Sequence, residues 1–360
     1  MTPRLRGFAI TAIAVMTSYV QLWAQSSTPA PTPAPKIATG AWADCMKEHP
    51  RLFGSKPFLS QQAKAKPDLY QRIKGDYGLG CFEGIRAYWN AQARQLFLLR
   101  GRDHYERLEQ SAKILTMTLP KSVDELIDIT VELALRNGYK TDIYIRPFVY
   151  KAAEDVGVRL HNVPDAFAIV PIPFTHYLDP TRGLHVCVSS WRRTDDTMAP
   201  PRAKITGLYV NSALAKSEAV QNGFDEAILL SHDGHVSEGS AENIFIVRRG
   251  VLYTPDPSQN VLEGVTRRAI MAIAHHELGL EVVERAIDRG ELYCAQEVFL
   301  TGTAVGIASV ASVDRRLVGD GEMGPITKLL SSLYTRIVMG REPRYLEWLT
   351  PAYASERIKV

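Results

Sequence analysis

Ser237-Glu238-Gly239-Ser240-Ala241-Glu242-Asn243-Ile244-Phe245 is the stretch around which the rest of the chain falls into place. Just before it, Asp233-Gly234 is a hairpin pair that turns the strand-like residues 227–230 back through His235 and Val236, so Glu238 is expected at a strand end. Residues 243–247 and 251–254 pair as a second hairpin across Arg248-Arg249-Gly250. Upstream lie Lys204 and, five residues on, Tyr209. A lone lysine is ordinarily a solvated group and a lone tyrosine a packed aromatic. An amine, a phenol and a carboxylate at this spacing instead suggest one chemical site.

The bulk composition bounds what that site serves. A chain of 360 residues exceeds the usual single core, and 46% apolar residues supply enough material for two. A net charge of +3, without long Lys/Arg blocks, argues against nucleic acid as a partner. Cys45, Cys81, Cys187 and Cys294 are scattered and read as buried thiols, with no spacing for a disulfide framework or a metal site. His275-His276-Glu277 begins like a zinc-protease helix, but the second ligand position is Leu280. Gly78 and Gly80 are followed by Gly84 at the wrong interval for a dinucleotide fingerprint.

Five segments are expected. Residues 1–35 hold Arg4 and Arg6, an uncharged apolar run over 7–24 and a Pro-Ala tract, which read as a secretory signal or membrane anchor. Residues 36–74 carry no clear pattern. Residues 75–172 form a first α/β domain, 173–183 a polar connection and 184–345 a second domain. Within the first, 85–88 and 96–99 form a hairpin, and Ser122-Val123-Asp124-Glu125 is a capping box opening a helix that stops at Asn137-Gly138. Leu126, Ile129, Leu133 and Ala134 form its inner face. Residues 143–150 and 166–171 read as buried strands. In the second, 184–191 and 297–300 are strands, the latter broken at Gly302-Thr303. Residues 266–278 are a helix with Ile270, Ile273 and Ala274 on one face. A last helix over 326–339 points Leu329, Leu330, Leu333, Tyr334 and Ile337 inward. Strands and helices mix without strict alternation, so the class is α+β. Lys216 reads as an exposed position on the helix after Tyr209.

From Tyr77 to about residue 340 the chain resembles the class IV, fold-type IV pyridoxal-phosphate enzymes, and most closely the branched-chain amino acid aminotransferases. The resemblance implies two α/β domains with pyridoxal 5'-phosphate in the cleft between them. Lys204 matches the lysine that carries the cofactor, Tyr209 the phenol at its ring oxygen and Glu238 the carboxylate facing its ring nitrogen. Arg107, Val265, Thr266 and Thr303 match the phosphate site, where Gly264-Val265-Thr266 opens a helix. Tyr77, Phe82, Arg86, Tyr144 and Arg146 match the substrate pocket, with Thr303 and Ala304 near the substrate carboxylate. In that family Arg146 serves the distal carboxylate of glutamate. Glu242 and Asn243 are assigned supporting roles, and Ala241 stands where close relatives often have Gly.

The implied activity is transfer of the amino group of L-leucine, L-isoleucine or L-valine to 2-oxoglutarate by a homodimer or larger homo-oligomer. Within the fold, a D-amino acid or (R)-amine transaminase and an aminodeoxychorismate lyase stay open as alternatives. From another class, an exported binding protein that keeps the fold without catalysis does too. The family implies a cytoplasmic enzyme, which the first 24 residues oppose. The residues before Tyr77 lack the opening hairpin of the relatives.

Overall fold

The computed structural model describes residues 77–152, 157–174 and 182–353. The expected leader, the region 36–74, Cys45 and most of the expected connection at 173–183 lie outside these.

A first group of elements runs β1 (Gly80–Phe82), β2 (Ile85–Asn90), β3 (Gln95–Leu99), α1 (Gly101–Ile114), α2 (Val123–Asn137), β4 (Ile143–Lys151) and β5 (Asp165–Pro173). The expected hairpin is β2–β3, antiparallel with Ala87 opposite Leu98. The expected capping box holds α2: the Ser122 side chain accepts from the Glu125 N–H, Glu125 returns a bond to the Ser122 N–H, and Gly138 ends the helix at φ 63°. Leu126, Ile129, Leu133 and Ala134 are buried against Ile85, Leu96 and Ile145.

The second group runs β6 (Leu184–Arg192), α3 (Tyr209–Gln221), β7 (Glu226–Leu230), β8 (Val236–Gly239), β9 (Asn243–Arg248), β10 (Val251–Thr254), α4 (Val265–Leu278), β11 (Val282–Glu284), α5 (Arg289–Tyr293), β12 (Glu297–Gly302), β13 (Gly306–Val313), β14 (Arg316–Leu317), α6 (Pro325–Val338) and β15 (Leu349–Pro351). Its sheet has the order β11-β10-β9-β12-β13-β6-β7-β8, with β14 on β13. β8 is at one edge and β9 lies well inside, yet only residues 240–242 join them and the Gly239 N–H reaches the Glu242 carbonyl at 2.6 Å. The sheet must therefore curl until its β8 edge meets β9, and the turn at 240–242 sits in that fold of the sheet. Phe245 and Phe299 stack at 5.1 Å in its core beside Ile270 and Leu330.

Several expectations need correction. β13 was not foreseen, nor was β15, which returns to the first sheet beside β3 and gives the order β1-β4-β2-β3-β15 with β5 on β4. Leu329 is 53% exposed, since it lies about 100° around the helix from the buried Leu330. Lys216 is not a surface group: its ammonium meets the fully buried Glu226 at 2.6 Å. Cys81 and Cys187 are buried thiols, but Cys294 is exposed. Among the described residues no helix is long and apolar enough to cross a membrane, and no group of His, Cys, Asp or Glu could hold a metal ion.

Candidate active site

Lys204 lies in the loop between β6 and α3, and its backbone is tied to the first sheet. Its N–H donates to Ser111 Oγ of α1 at 3.1 Å, and its carbonyl accepts from the Phe82 N–H of β1 at 3.1 Å. Its amine stands 2.7 Å from the Tyr209 hydroxyl and 5.1 Å from the centre of the Phe82 ring. Phe82 and Tyr209 pack at 4.9 Å between ring centres.

An open cavity surrounds this pair. Arg107, Lys204, Tyr209, Glu238, Val265, Thr266 and Thr303 all line it. The groups are separated by charge. At the cationic end stand Arg107 and the N-terminus of α4, where Gly264 provides no side-chain cap to the first-turn N–H groups. Glu238 provides the acid, and Lys204 the amine. The Thr301 hydroxyl, which also lines the cavity, is buried with no hydrogen-bond partner in the protein. A phosphate, a ring nitrogen and a carbonyl on one small molecule are matched by this donor set, so the residues fit pyridoxal phosphate.

Neighbours missed in the sequence hold the two charged ends. Arg107 gives Nε to Glu83 Oε1 at 2.6 Å, Nη2 to Glu83 Oε2 at 2.8 Å and Nη1 to the Glu263 carbonyl at 2.9 Å. His104 Nδ1 lies 2.7 Å from the same carboxylate. Burial opposes ionisation of Glu83, but Arg107 and His104 overcome it and hold its pKa below the ordinary carboxylate value. Burial pushes the His104 imidazole down against the pull of Glu83. Glu238 has Oε1 at 2.7 Å from Arg193 Nη2, while Oε2 accepts from Asn243 Nδ2 at 3.0 Å and the Leu262 N–H at 3.1 Å. Burial raises the Glu238 pKa and Arg193 is the chief opposing influence. Glu242, buried among Glu226, Lys216 and Glu238, is pushed up to about 8, first by burial and then by Glu226.

In the sequence Glu83 stands between Phe82 and Gly84, and an acid flanked by an aromatic and a glycine is a signal by which a buried carboxylate could be found. Arg193 had no such signal: it follows Arg192, which is exposed, and only the fold distinguishes them.

The expected substrate residues form an adjoining group. Tyr144 and Arg146 share β4, and Arg146 Nη2 donates to the Tyr144 hydroxyl at 2.9 Å. The Arg146 guanidinium lies 4.5 Å from the centre of the Phe82 ring. A Cβ at Gly84 would stand 2.2 Å from the Tyr144 hydroxyl, so only glycine admits that tyrosine. Arg86 pairs with Asp142 at 3.0 Å and reaches the Ala304 carbonyl at 3.5 Å, which connects β2 to the turn after Thr303. Tyr77 is 49% exposed.

The model of the amino-transferase class IV family matches residues 80–313. The chain belongs to this family. Within it, the chain belongs with the branched-chain amino acid aminotransferases. It is 48% identical over 277 residues to the probable branched-chain-amino-acid aminotransferase of Aquifex aeolicus, covering 77% of this chain and 89% of the relative. A branched-chain aminotransferase from Thermoproteus uzoniensis, solved with norvaline, superposes with a TM-score of 0.76 at 44% identity, covering 81% of this chain and 96% of that one. A T.th. branched-chain amino acid aminotransferase complexed with N-(5'-phosphopyridoxyl)-L-glutamate gives a TM-score of 0.75 at 41% identity, with 81% and 95% covered. That enzyme has also been solved with 4-methylvaleric acid and with pyridoxamine 5'-phosphate.

Proposed function

We infer that this chain is a branched-chain-amino-acid aminotransferase that uses pyridoxal 5'-phosphate to exchange an amino group between L-leucine, L-isoleucine or L-valine and 2-oxoglutarate. The relatives captured with a glutamate adduct and with a branched aliphatic acid support both halves of that exchange. The observation that carries the reading is the 2.7 Å contact between the Lys204 amine and the Tyr209 hydroxyl inside a cavity that also presents Glu238 and Arg107.

When bound, the cofactor supplies a carbonyl for the substrate amine and a ring that draws electrons from the substrate Cα. Lys204 Nζ anchors it and then serves as the base and acid that moves the Cα proton. Tyr209 holds the ring oxygen. Glu238 keeps its charge opposite the ring nitrogen, because Arg193, Asn243 and the Leu262 N–H stabilise the carboxylate. Arg107, Thr266, Thr303 and the Val265 and Thr266 N–H groups bind the phosphate.

Phe82 and Tyr144 offer an apolar wall to an aliphatic side chain, and Arg146 beside them offers a cation to the distal carboxylate of glutamate. One pocket thereby accepts both substrates. Arg86 acts from the flank by holding the Ala304 carbonyl, so that the Thr303-Ala304 turn faces the substrate carboxylate. Tyr77 closes the pocket edge.

The chain works as a homodimer or larger homo-oligomer. Val210 and Leu214, four residues apart on α3, are 65% and 41% exposed, and a second copy would cover them. The assay that tests the reading follows glutamate formation from 2-oxoglutarate with L-leucine or D-alanine, and pyruvate release from aminodeoxychorismate. L-Leucine is expected to be the amino donor, and activity with either of the others alone would refute the assignment.

A further inference from the structure

Thr301, near the end of β12, has no solvent exposure, and its hydroxyl, on the cavity wall, has no hydrogen-bond partner in the protein. A buried hydroxyl in that condition lowers stability, because its bonds to water are lost and none replaces them. Valine has the same branched shape, suits a strand as well and carries no polar atom. Packing therefore gives no reason for the oxygen. A ligand in the cavity supplies one.

The neighbours of Thr301 fix the end of the cavity that it faces. Asn243 on β9 stands directly opposite it in an antiparallel pair, so the two side chains share one face of the sheet. The Asn243 amide gives its hydrogens to Glu238 Oε2 at 3.0 Å and to the Leu262 carbonyl at 2.8 Å, which leaves neither for Thr301. Its Oδ1 lies so close to Gly264 that a Cβ there would stand 2.0 Å away. Gly264 is the residue from which α4 starts. Further back on the same face of β12, Phe299 shares an apolar cluster with Ile270, one turn into α4 from Thr266. Phe299 to Thr301 is ~6.7 Å along a strand, and Ile270 to Thr266 is ~6 Å along a helix, so Thr301 comes beside the first turn of α4. There the N–H groups lack a side-chain cap, and Thr266 and Thr303 also line the cavity. A hydroxyl with a proton to give, next to a helix N-terminus, suits an anionic oxygen.

We propose that Thr301 is a further cofactor-binding residue, whose hydroxyl donates to a phosphate oxygen of pyridoxal phosphate. This rests on the reading that the start of α4 receives the phosphate. Its oxygen then favours the loaded protein at the expense of the unloaded one, a trade of stability for function.

The test pairs binding with stability. Full-length wild type, Thr301→Val, Thr301→Ser and Thr266→Val are freed of cofactor, melted, and titrated by fluorescence with pyridoxal phosphate and with pyridoxal, which lacks the phosphate. Thr301→Val is expected to bind pyridoxal phosphate at least about tenfold more weakly, the lower value of a hydrogen bond to a charged group, and pyridoxal as wild type does. Its cofactor-free melting temperature is expected to equal or exceed that of wild type. Thr301→Ser keeps the donor and should keep most of the affinity. If Thr301→Val binds pyridoxal phosphate as tightly as wild type, as it would were a solvent molecule the partner of the hydroxyl, the proposal is refuted. It is refuted too if pyridoxal binding weakens equally, which with a lowered cofactor-free melting temperature would give the hydroxyl a role in the fold alone. If Thr266→Val leaves pyridoxal phosphate binding unchanged, the phosphate reading falls and the proposal falls with it. If Thr266→Val weakens that binding and Thr301→Val does not, the reading stands and only the proposal falls.

Discussion

Arg107 and Glu83 meet through two parallel hydrogen bonds, 2.6 Å and 2.8 Å long, in a place where the carboxylate has no solvent exposure at all. The pair joins α1 to the loop after β1. It fixes the plane of the guanidinium, so its remaining donors face the Glu263 carbonyl and the cavity.

Removing one partner of such a pair strands a buried charge, a loss of about 3–5 kcal/mol. Glu83→Ala is expected to lower stability by that order, and Glu83→Gln by less, since the amide oxygen still accepts one bond. Urea denaturation reads both. The pKa of Glu83 is held below its ordinary value, so its contribution is present above about pH 4.5 and is lost as pH falls below it. The acid limb of stability should therefore flatten in Glu83→Gln. A variant as stable as wild type at neutral pH would contradict this account of the pair.

Burial raises the Glu238 pKa, and Arg193 is the chief influence opposing that rise. Arg193→Met is expected to raise the Glu238 pKa further, which shifts the residue toward its neutral form and weakens its hold on a protonated ring nitrogen. We expect kcat to fall at least about tenfold, the equivalent of one pKa unit. Activity should recover as pH rises and Glu238 ionises, with the rising limb displaced to higher pH than in wild type. Arg193→Lys should keep most of the activity. An unchanged pH profile in Arg193→Met would show that Arg193 has no such part.

Glu242, pushed up to about 8, holds its proton at neutral pH when folded and loses it when unfolded. The folded state thus binds more protons between the ordinary carboxylate value and about 8, and this group's contribution to stability declines as pH rises through that window. Glu242→Gln mimics the neutral acid. The difference in melting temperature between Glu242→Gln and wild type should grow in favour of the variant from pH 5 to pH 8. A constant difference would mean that Glu242 does not titrate there.

Arg146 stands apart from the carbonyl-and-phosphate chemistry, on the Phe82 and Tyr144 rings. Arg146→Met is expected to lower kcat/KM for 2-oxoglutarate by roughly 10- to 100-fold, the worth of a hydrogen bond to a charged group. The half-reaction with L-leucine should change far less. Equal losses in both half-reactions would remove Arg146 from dicarboxylate recognition.

Local signals made much of this legible. Ser122 with Glu125, Asn137-Gly138, Asp233-Gly234 and Arg248-Arg249-Gly250 act within a few residues, so the elements they bound could be read directly. The spacing of Lys204, Tyr209 and Glu238, with the motif resemblance around it, led to one cavity. What escaped depends on distant partners. β15 has three residues, one a proline, and exists because Phe97, Leu98 and Leu99 are there to pair with it. Lys216 is drawn inward by Glu226 on the next strand. Glu83 and Arg193 become site residues only when the fold sets them against Arg107 and Glu238. Leu329 escapes the core because it lies at one edge of the roughly 140° arc that the five apolar positions span, and only the tertiary packing decides which edge of such an arc is covered.

The central claim is that the Lys204 amine, 2.7 Å from Tyr209, carries the cofactor. Its most direct measurement is to load the protein with pyridoxal phosphate, reduce it with borohydride, digest it and locate the phosphopyridoxyl group by mass spectrometry. The account predicts one labelled site, Lys204. Label on Lys216 or any other lysine instead, or no stable label at all, would contradict it.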